Sequence, residues 1–237
     1  MNKFGSIITY KNKVTSSIFF KAITLLELSR DLKKILASVN KPKFDLVKEK
    51  YKDVAPAPGY SKYLDIEPWM RKNMWHVFIL GLNKEKNKNI LDIGTGNAYF
   101  PFICKYYGHQ VRTIDIWTDP MFNELVELLE VPRRDYEIKN FEPVAPFDIK
   151  FDMITGFMVC FNGHRTDKLW KSAEWEFFMS DMAQNHCNLG AEAYFQLNAE
   201  LDTELNYTPE LLEWFLKMGA EVDEDRVYFK SLDVFRK

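Results

Sequence analysis

The stretch that decides the fold begins at residue 88 and reads Lys88-Asn89-Ile90-Leu91-Asp92-Ile93-Gly94-Thr95-Gly96-Asn97-Ala98-Tyr99-Phe100-Pro101-Phe102. It continues through Gly108-His109-Gln110-Val111-Arg112-Thr113-Ile114-Asp115-Ile116. An apolar run ends in an acid, a glycine turn follows, a helical pattern opens near Tyr99, and a second apolar run ends in another acid. Short apolar runs bounded by glycine read as buried strands. Glycines let the chain turn sharply into a helix without a Cβ clash and let a ligand approach the backbone.

Such a turn holds an adenosyl group, because a carboxylate at the tip of the second strand accepts two hydrogen bonds from a ribose diol. Two cofactor classes use it. A dinucleotide fingerprint wants G-x-G-x-x-G, but the third position is Tyr99. Instead Asp92 lies two residues before Gly94, within the turn, where a carboxylate repels a pyrophosphate and suits a cation. S-adenosylmethionine carries a sulfonium and an ammonium. The stretch resembles motif I of the class I S-adenosylmethionine-dependent methyltransferases, roughly acid-x-G-x-G-x-G, with Ala98 in place of the last glycine. The strand–helix order resembles that family over about residues 75–235. An ordinary βαβ turn carrying two chance acids is the plain alternative.

The bulk composition narrows the classes. At 237 residues the chain holds one α/β domain and an extra segment. Net charge is −2, so nothing marks a surface that tracks nucleic acid. Cys104, Cys160 and Cys187 form no C-x-x-C pair and read as reduced thiols in a cytoplasmic protein; no zinc spacing appears, and no metal is expected. Lys11, Lys13 and Lys21 interrupt the early apolar runs, so no secretory signal is read, and no run reaches membrane-span length.

Periodicity predicts an amphipathic helix over 14–38, with Ile18, Ala22, Leu25, Leu32 and Leu36 on its apolar stripe. It packs on the main domain or on a second copy as a homodimer surface. A proline-rich loop follows over 40–60, holding at most a short helix near 44–51. Residues 1–65 are read as an N-terminal helical extension or lid, and 66–237 as the main domain. Within the latter, helices are expected at 66–83, 99–107, 120–130, 167–188 and 208–218. Strands are expected at 89–93, 110–116, 135–139, 151–155, 191–197, 220–223 and 226–235. That alternation argues for a mainly parallel sheet with helices on both faces. The resemblance implies a three-layer Rossmann-like methyltransferase fold with a mostly parallel seven-stranded sheet.

Open α/β sheets bind ligands beyond the carboxyl ends of their strands. Following the resemblance, Asp92, Gly94, Thr95 and Gly96 would line the methionine end of the cofactor and Asp115 the ribose. Ile116 and Trp117 would lie against the adenine, with Asn140 and Phe141 near its amino group. The backbone at Gly156 and Phe157 would meet the cofactor amine. Asn140 is equally a plain turn residue, since the family's usual acid is absent there. Arg71 could pair the cofactor carboxylate or be a solvated helix charge. In the loop Phe161-Asn162-Gly163-His164-Arg165-Thr166, His164 is the candidate general base, since histidine is the side chain whose ordinary pKa lies near neutrality. Asn162 could orient a substrate oxygen, and Trp170 and Trp175 wall the acceptor pocket or belong to the core. The expected activity is methyl transfer to an oxygen or nitrogen of a small-molecule or saccharide acceptor. A non-catalytic S-adenosylmethionine-binding partner protein and a nicotinamide-dependent oxidoreductase are the alternatives.

Overall fold

The computed structural model describes residues 18–53, 60–116, 119–159, 161, 169–199 and 206–236, with side chains from residue 25 onward. Seven strands form one sheet. They are β1 (Asn89–Ile93), β2 (Gln110–Asp115), β3 (Arg133–Asp135), β4 (Phe151–Val159), β5 (Cys187–Leu197), β6 (Glu221–Asp223) and β7 (Arg226–Phe229). Their order is β3-β2-β1-β4-β5-β7-β6. β1, β4 and β5 run parallel, whereas β7 runs antiparallel to β5 and β6. The centre of the sheet is a run of fully buried apolar residues, as expected where both faces of a parallel sheet are covered.

The helices are α1 (Ile18–Ser38), α2 (Lys41–Tyr51), α3 (Ile66–Ile79), α4 (Tyr99–Tyr106), α5 (Pro120–Leu128), α6 (Ser172–Asp181) and α7 (Pro209–Lys217). Three starts follow the cap-plus-proline rule, that of α2 with Asn40 and Pro42 among them. Asp119 accepts from the backbone of Met121 and Phe122 ahead of α5, and Thr208 accepts from Leu211 N ahead of α7. Among the described residues no helix is long and apolar enough to cross a membrane, and no cluster of metal-ligating side chains occurs.

The chain divides into two compact units. One takes in Met1–Asn87, Thr95–Thr113 and Trp117–Arg134. There α1 packs on α3, α3 on α4, and α2 on α5. Tyr51 and Lys50 of α2 both bond Glu124 of α5. Tyr107 Oη donates to Asp31 Oδ2 at 3.0 Å, tying the end of α4 to α1. The other unit takes in Lys88–Gly94, Ile114–Ile116 and Asp135–Lys237. Its core joins the central strands to α6 and α7 through Trp175, Phe195, Phe215 and Phe229.

Several expectations need correction. The buried stripe of α1 is Leu28, Leu32 and Ile35, whereas Leu25 is 48 % exposed. Its apolar residues wrap most of the circumference, so periodicity alone left the phase open. α2 starts at Lys41, three residues earlier than read, because Asn40 caps Lys43 N and Pro42 suits the first turn. β3 ends at Asp135, where a strand was expected to begin. α6 gives way at Met182–His186 to a π-helical turn, and β5 opens directly at Cys187. The last strand stops at Phe229, and Asp233–Phe235 forms a 3-10 turn.

Candidate active site

β1 carries a carboxylate into the interior: Asp92 is 2 % exposed. The register sets it opposite Thr155, whose hydroxyl donates to Asp92 Oδ1 at 2.8 Å. A buried charge is tolerated only when hydrogen-bonded, and β4 supplies that bond. Asp92 is thus built into the sheet face at the mouth of the turn, and Thr155 is a positioning residue that the sequence did not single out.

The chain then turns through Gly94 at φ +67, Gly96 at +52 and Ala98 at +61. Gly94 N donates to Ile114 O at 2.9 Å, anchoring the turn to β2. A Cβ at Gly94 would lie 2.8 Å from Val159 Cγ1, so both backbone and neighbour require glycine. A Cβ at Gly96 would meet nothing within 4 Å. Thr95 is 7 % exposed, and its Oγ1 is buried with no hydrogen-bond partner. An orphaned buried hydroxyl is rare in folded proteins and invites a polar ligand. With the open side at Gly96, this turn fits a cofactor held through its polar groups.

α4 follows at once. Its first residue, Tyr99, donates from Oη to Tyr63 O at 2.7 Å. Burial, and then the charge of Asp65, push that phenol well above its ordinary value, so it stays a donor.

Asp115 ends β2, and its Oδ1 accepts from Ile116 N at 2.8 Å. Ile116 is 43 % exposed, an apolar side chain free to cover a flat ligand. In the loop beyond β3, Asn140 and Phe141 are both exposed, with the Phe141 ring edge-on to Phe177 at 5.8 Å. Gly156 lies between Ile93 and Phe195 in the sheet, and a Cβ there would come 3.2 Å from the Phe195 ring. Phe157 packs against Tyr194 at 5.7 Å. Met158, at φ +57, lies at a bulge-like register shift between the Phe157–Gln196 and Val159–Leu197 pairs of β4 and β5.

The carboxyl ends of β1, β2 and β4 therefore carry Asp92, Gly94, Asp115, Gly156 and Phe157 on neighbouring strands. Arg71 bonds Glu67 Oε1 at 2.8 Å, one turn back on α3. Trp170 and Trp175 are buried in an aromatic cluster around Phe161 and belong to the core. Trp117, Cys160, Asn162 and His164 lie outside the described residues.

The seven-stranded order, with β7 antiparallel to both of its neighbours, is an α/β, Rossmann-like fold. No protein-family model and no curated protein matches the chain. Among solved structures it is similar to the N-methyltransferase NodS of Bradyrhizobium japonicum, at 13% identity and a TM-score of 0.47 over 69% of this chain and 96% of that one. It is also similar to a TehB-like S-adenosylmethionine-dependent methyltransferase of Corynebacterium glutamicum, at 12% identity and 0.42 over 68% and 95%. A third likeness is to CalS10, an amino pentose methyltransferase of Micromonospora echinaspora, at 16% identity and 0.39 over 54% and 50%. The chain spans about half the length of CalS10. Values this low describe a shared layout and carry nothing about activity.

Proposed function

We propose that this chain is an S-adenosylmethionine-dependent methyltransferase acting on an oxygen or nitrogen of a small-molecule or saccharide acceptor. The observation that carries the reading is the turn after β1. It joins a buried acid, two left-handed glycines, an open side at Gly96 and the unpartnered Thr95 hydroxyl. S-adenosylmethionine, when bound, supplies a methyl group already activated on a sulfonium.

The chain's own residues then hold and align. Asp92 sets a negative field at the mouth of the turn, steadied by Thr155. Thr95 Oγ1 and the backbone at Gly94 and Gly96 receive the polar methionine end. Asp115 takes the ribose hydroxyls. Ile116, with Trp117, covers the adenine, and Asn140 and Phe141 flank its amino edge. The backbone of Gly156 and Phe157 meets the cofactor amine. Arg71, bonded to Glu67 one turn back on α3, either pairs the cofactor carboxylate or stays a solvated helix charge. A direct displacement needs alignment more than acid–base help, and His164 takes the role of base for an acceptor proton.

Thermal unfolding tests the reading, since a ligand that binds the folded state raises its apparent stability. S-adenosylhomocysteine should raise the melting temperature, whereas NAD and NADP should leave it unchanged. A shift with either nicotinamide nucleotide and none with the adenosyl ligand sinks the proposal. Replacing Asp115 by Ala should weaken S-adenosylhomocysteine by about 1.5–3 kcal/mol by calorimetry, the range for bonds to a charged group. Release of S-adenosylhomocysteine with a panel of acceptors separates an enzyme from a binding protein. Loss of the neutral-pH limb of the rate profile in His164→Ala would identify the base.

A further inference from the structure

At the carboxyl end of β5 stands another buried polar atom without a partner. Gln196 is 8 % exposed. Its Nε2 donates to Asp225 Oδ2 at 2.6 Å. Because a carboxylate only accepts, that bond fixes which end of the amide faces Asp225. Oε1 is left on the other side, buried and with no hydrogen-bond donor.

The sheet register says where this atom lies. Phe157, Gln196, Arg226 and Asp223 are paired in one row across β4, β5, β7 and β6, and paired residues share a face. The next row inward holds Asp92, Thr155, Tyr194 and Tyr228. Gln196 therefore shares the face of Asp92, two strands from β1, or roughly 10 Å at ordinary strand spacing. Asp225 sits in the β6–β7 turn, where its carbonyl accepts from Leu197 N at 2.7 Å. Arg226 lies between two carboxylates, 3.7 Å from Asp223 and 3.5 Å from Asp225. Two carboxylates thus face one guanidinium.

Oε1 can only accept, so whatever satisfies it must bring an N–H or O–H. The surplus of negative charge then favours a cation over a neutral hydroxyl and turns away a phosphate or carboxylate. We infer that Gln196 and Asp225 form a subsite for an amine carried by the acceptor, beside the cofactor turn. The inference rests on the methyltransferase reading and narrows its acceptor class. Support of the β6–β7 turn needs only the Nε2–Asp225 bond, whereas an amine ligand uses the Oε1 that this bond leaves unspent.

The test uses protein saturated with S-adenosylhomocysteine, to which glucosamine or ethanolamine is added, with glucose and ethylene glycol as neutral counterparts. Additions reach about 10 mM, the range in which a fragment held by one or two polar contacts saturates. The amines should raise the melting temperature further, and the neutral partners should not. Gln196→Met should remove the amine response while keeping the S-adenosylhomocysteine shift. Asp225→Asn keeps an oxygen for Gln196 Nε2 and should weaken the amine response about tenfold, the worth of one charge-assisted bond. Equal shifts from polyols and amines overturn the subsite, as do an amine response that survives in Gln196→Met and the absence of any amine shift. A protein indifferent to S-adenosylhomocysteine removes the underlying methyltransferase reading instead, so the two failures are told apart.

Discussion

At the amino ends of the central strands several polar groups find partners within the chain. Lys88 Nζ reaches Glu192 Oε1 at 3.1 Å, and Tyr228 Oη donates to the other oxygen of Glu192. Asp152 accepts from Asn89 N and Asn188 Nδ2, both at 2.8 Å. Arg236 Nη2 closes the carbonyls of Cys187 and Asn188 at 2.9 Å each. The carboxyl ends of the same strands are finished differently. There Thr95 Oγ1 and Gln196 Oε1 are buried without partners, and Ala98 and Met158 hold left-handed backbone without being glycine. The unpaired buried oxygens lie at the carboxyl end, where native structures hold ligands, whereas left-handed non-glycine backbone occurs at both ends, at Asn87 ahead of β1 as well as at Ala98 and Met158.

The contrast is broken most forcefully at Gly94. Alanine there must adopt φ +67 and press its Cβ to 2.8 Å from Val159 Cγ1. Left-handed strain and overpacking together should cost about 2–4 kcal/mol of stability. Chemical denaturation measures that cost, and calorimetry should show S-adenosylhomocysteine binding lost. Val159→Ala in the same chain should recover part of the stability, because it removes the clash while the backbone strain remains. An additive double mutant would mean that Val159 is not the obstacle.

Thr155→Val ranks next. Valine keeps the shape but leaves the buried Asp92 carboxylate without its 2.8 Å donor. The expected loss is about 1.5–3 kcal/mol, the range for removing a hydrogen bond to a charged group. If Asp92 also sets the field for the cofactor, S-adenosylhomocysteine affinity should fall in parallel. A stability loss with unchanged affinity would assign Asp92 to the fold alone and shift the boundary between the two ends.

The amino end offers a matching test at Asp181, where α6 passes into the π-helical turn. Its oxygens accept from Val144 N and Asn185 Nδ2 at 2.8 Å each, with His186 Nε2 at 3.5 Å. Burial alone would push this carboxyl up, but the bonds from His186, Asn185 and Val144 outweigh it and hold it below the usual carboxylate range. A depressed folded value means the stabilisation is complete above the unfolded carboxylate range and fades as pH falls through the folded value. Asp181→Asn should therefore cost about 1–2 kcal/mol at neutral pH. The gap to the unmodified protein should close below about pH 4. Cofactor affinity should not move. If it does, the amino end is not purely structural.

The same division explains what could be read from the amino acids. β1, the glycine turn, Asp115 and the starts of α5 and α7 were legible because each depends on local chemistry: an apolar run, a positive φ, a cap followed by proline. The opening of β5 at Cys187 was not, since no glycine or proline separates it from α6 and the switch runs through a π-helical turn. Thr155 and Gln196 were missed for another reason. Each is a polar residue within a largely apolar stretch of strand. Its meaning comes from a partner 63 or 29 residues away, Asp92 or Asp225. The buried phase of α1 was hidden because its apolar residues nearly encircle the helix.

The smallest effect is expected at Ala98, and it sharpens the comparison by reversing the sign. The residue is fully buried at φ +61 just before α4, where the resembled motif carries glycine. Left-handed alanine costs about 1–2 kcal/mol relative to the right-handed form. Glycine relieves that strain but gives back about 0.4–1 kcal/mol through a more flexible unfolded chain. Ala98→Gly should therefore stabilise the protein by up to about 1 kcal/mol. Its effect on S-adenosylhomocysteine affinity decides what the strain is for. Unchanged affinity would make Ala98 a residue that the surrounding packing merely tolerates. A stabler protein that binds more weakly would show that the Ala98 methyl helps hold the turn in its ligand-ready shape, the exchange of stability for function that the carboxyl end shows elsewhere.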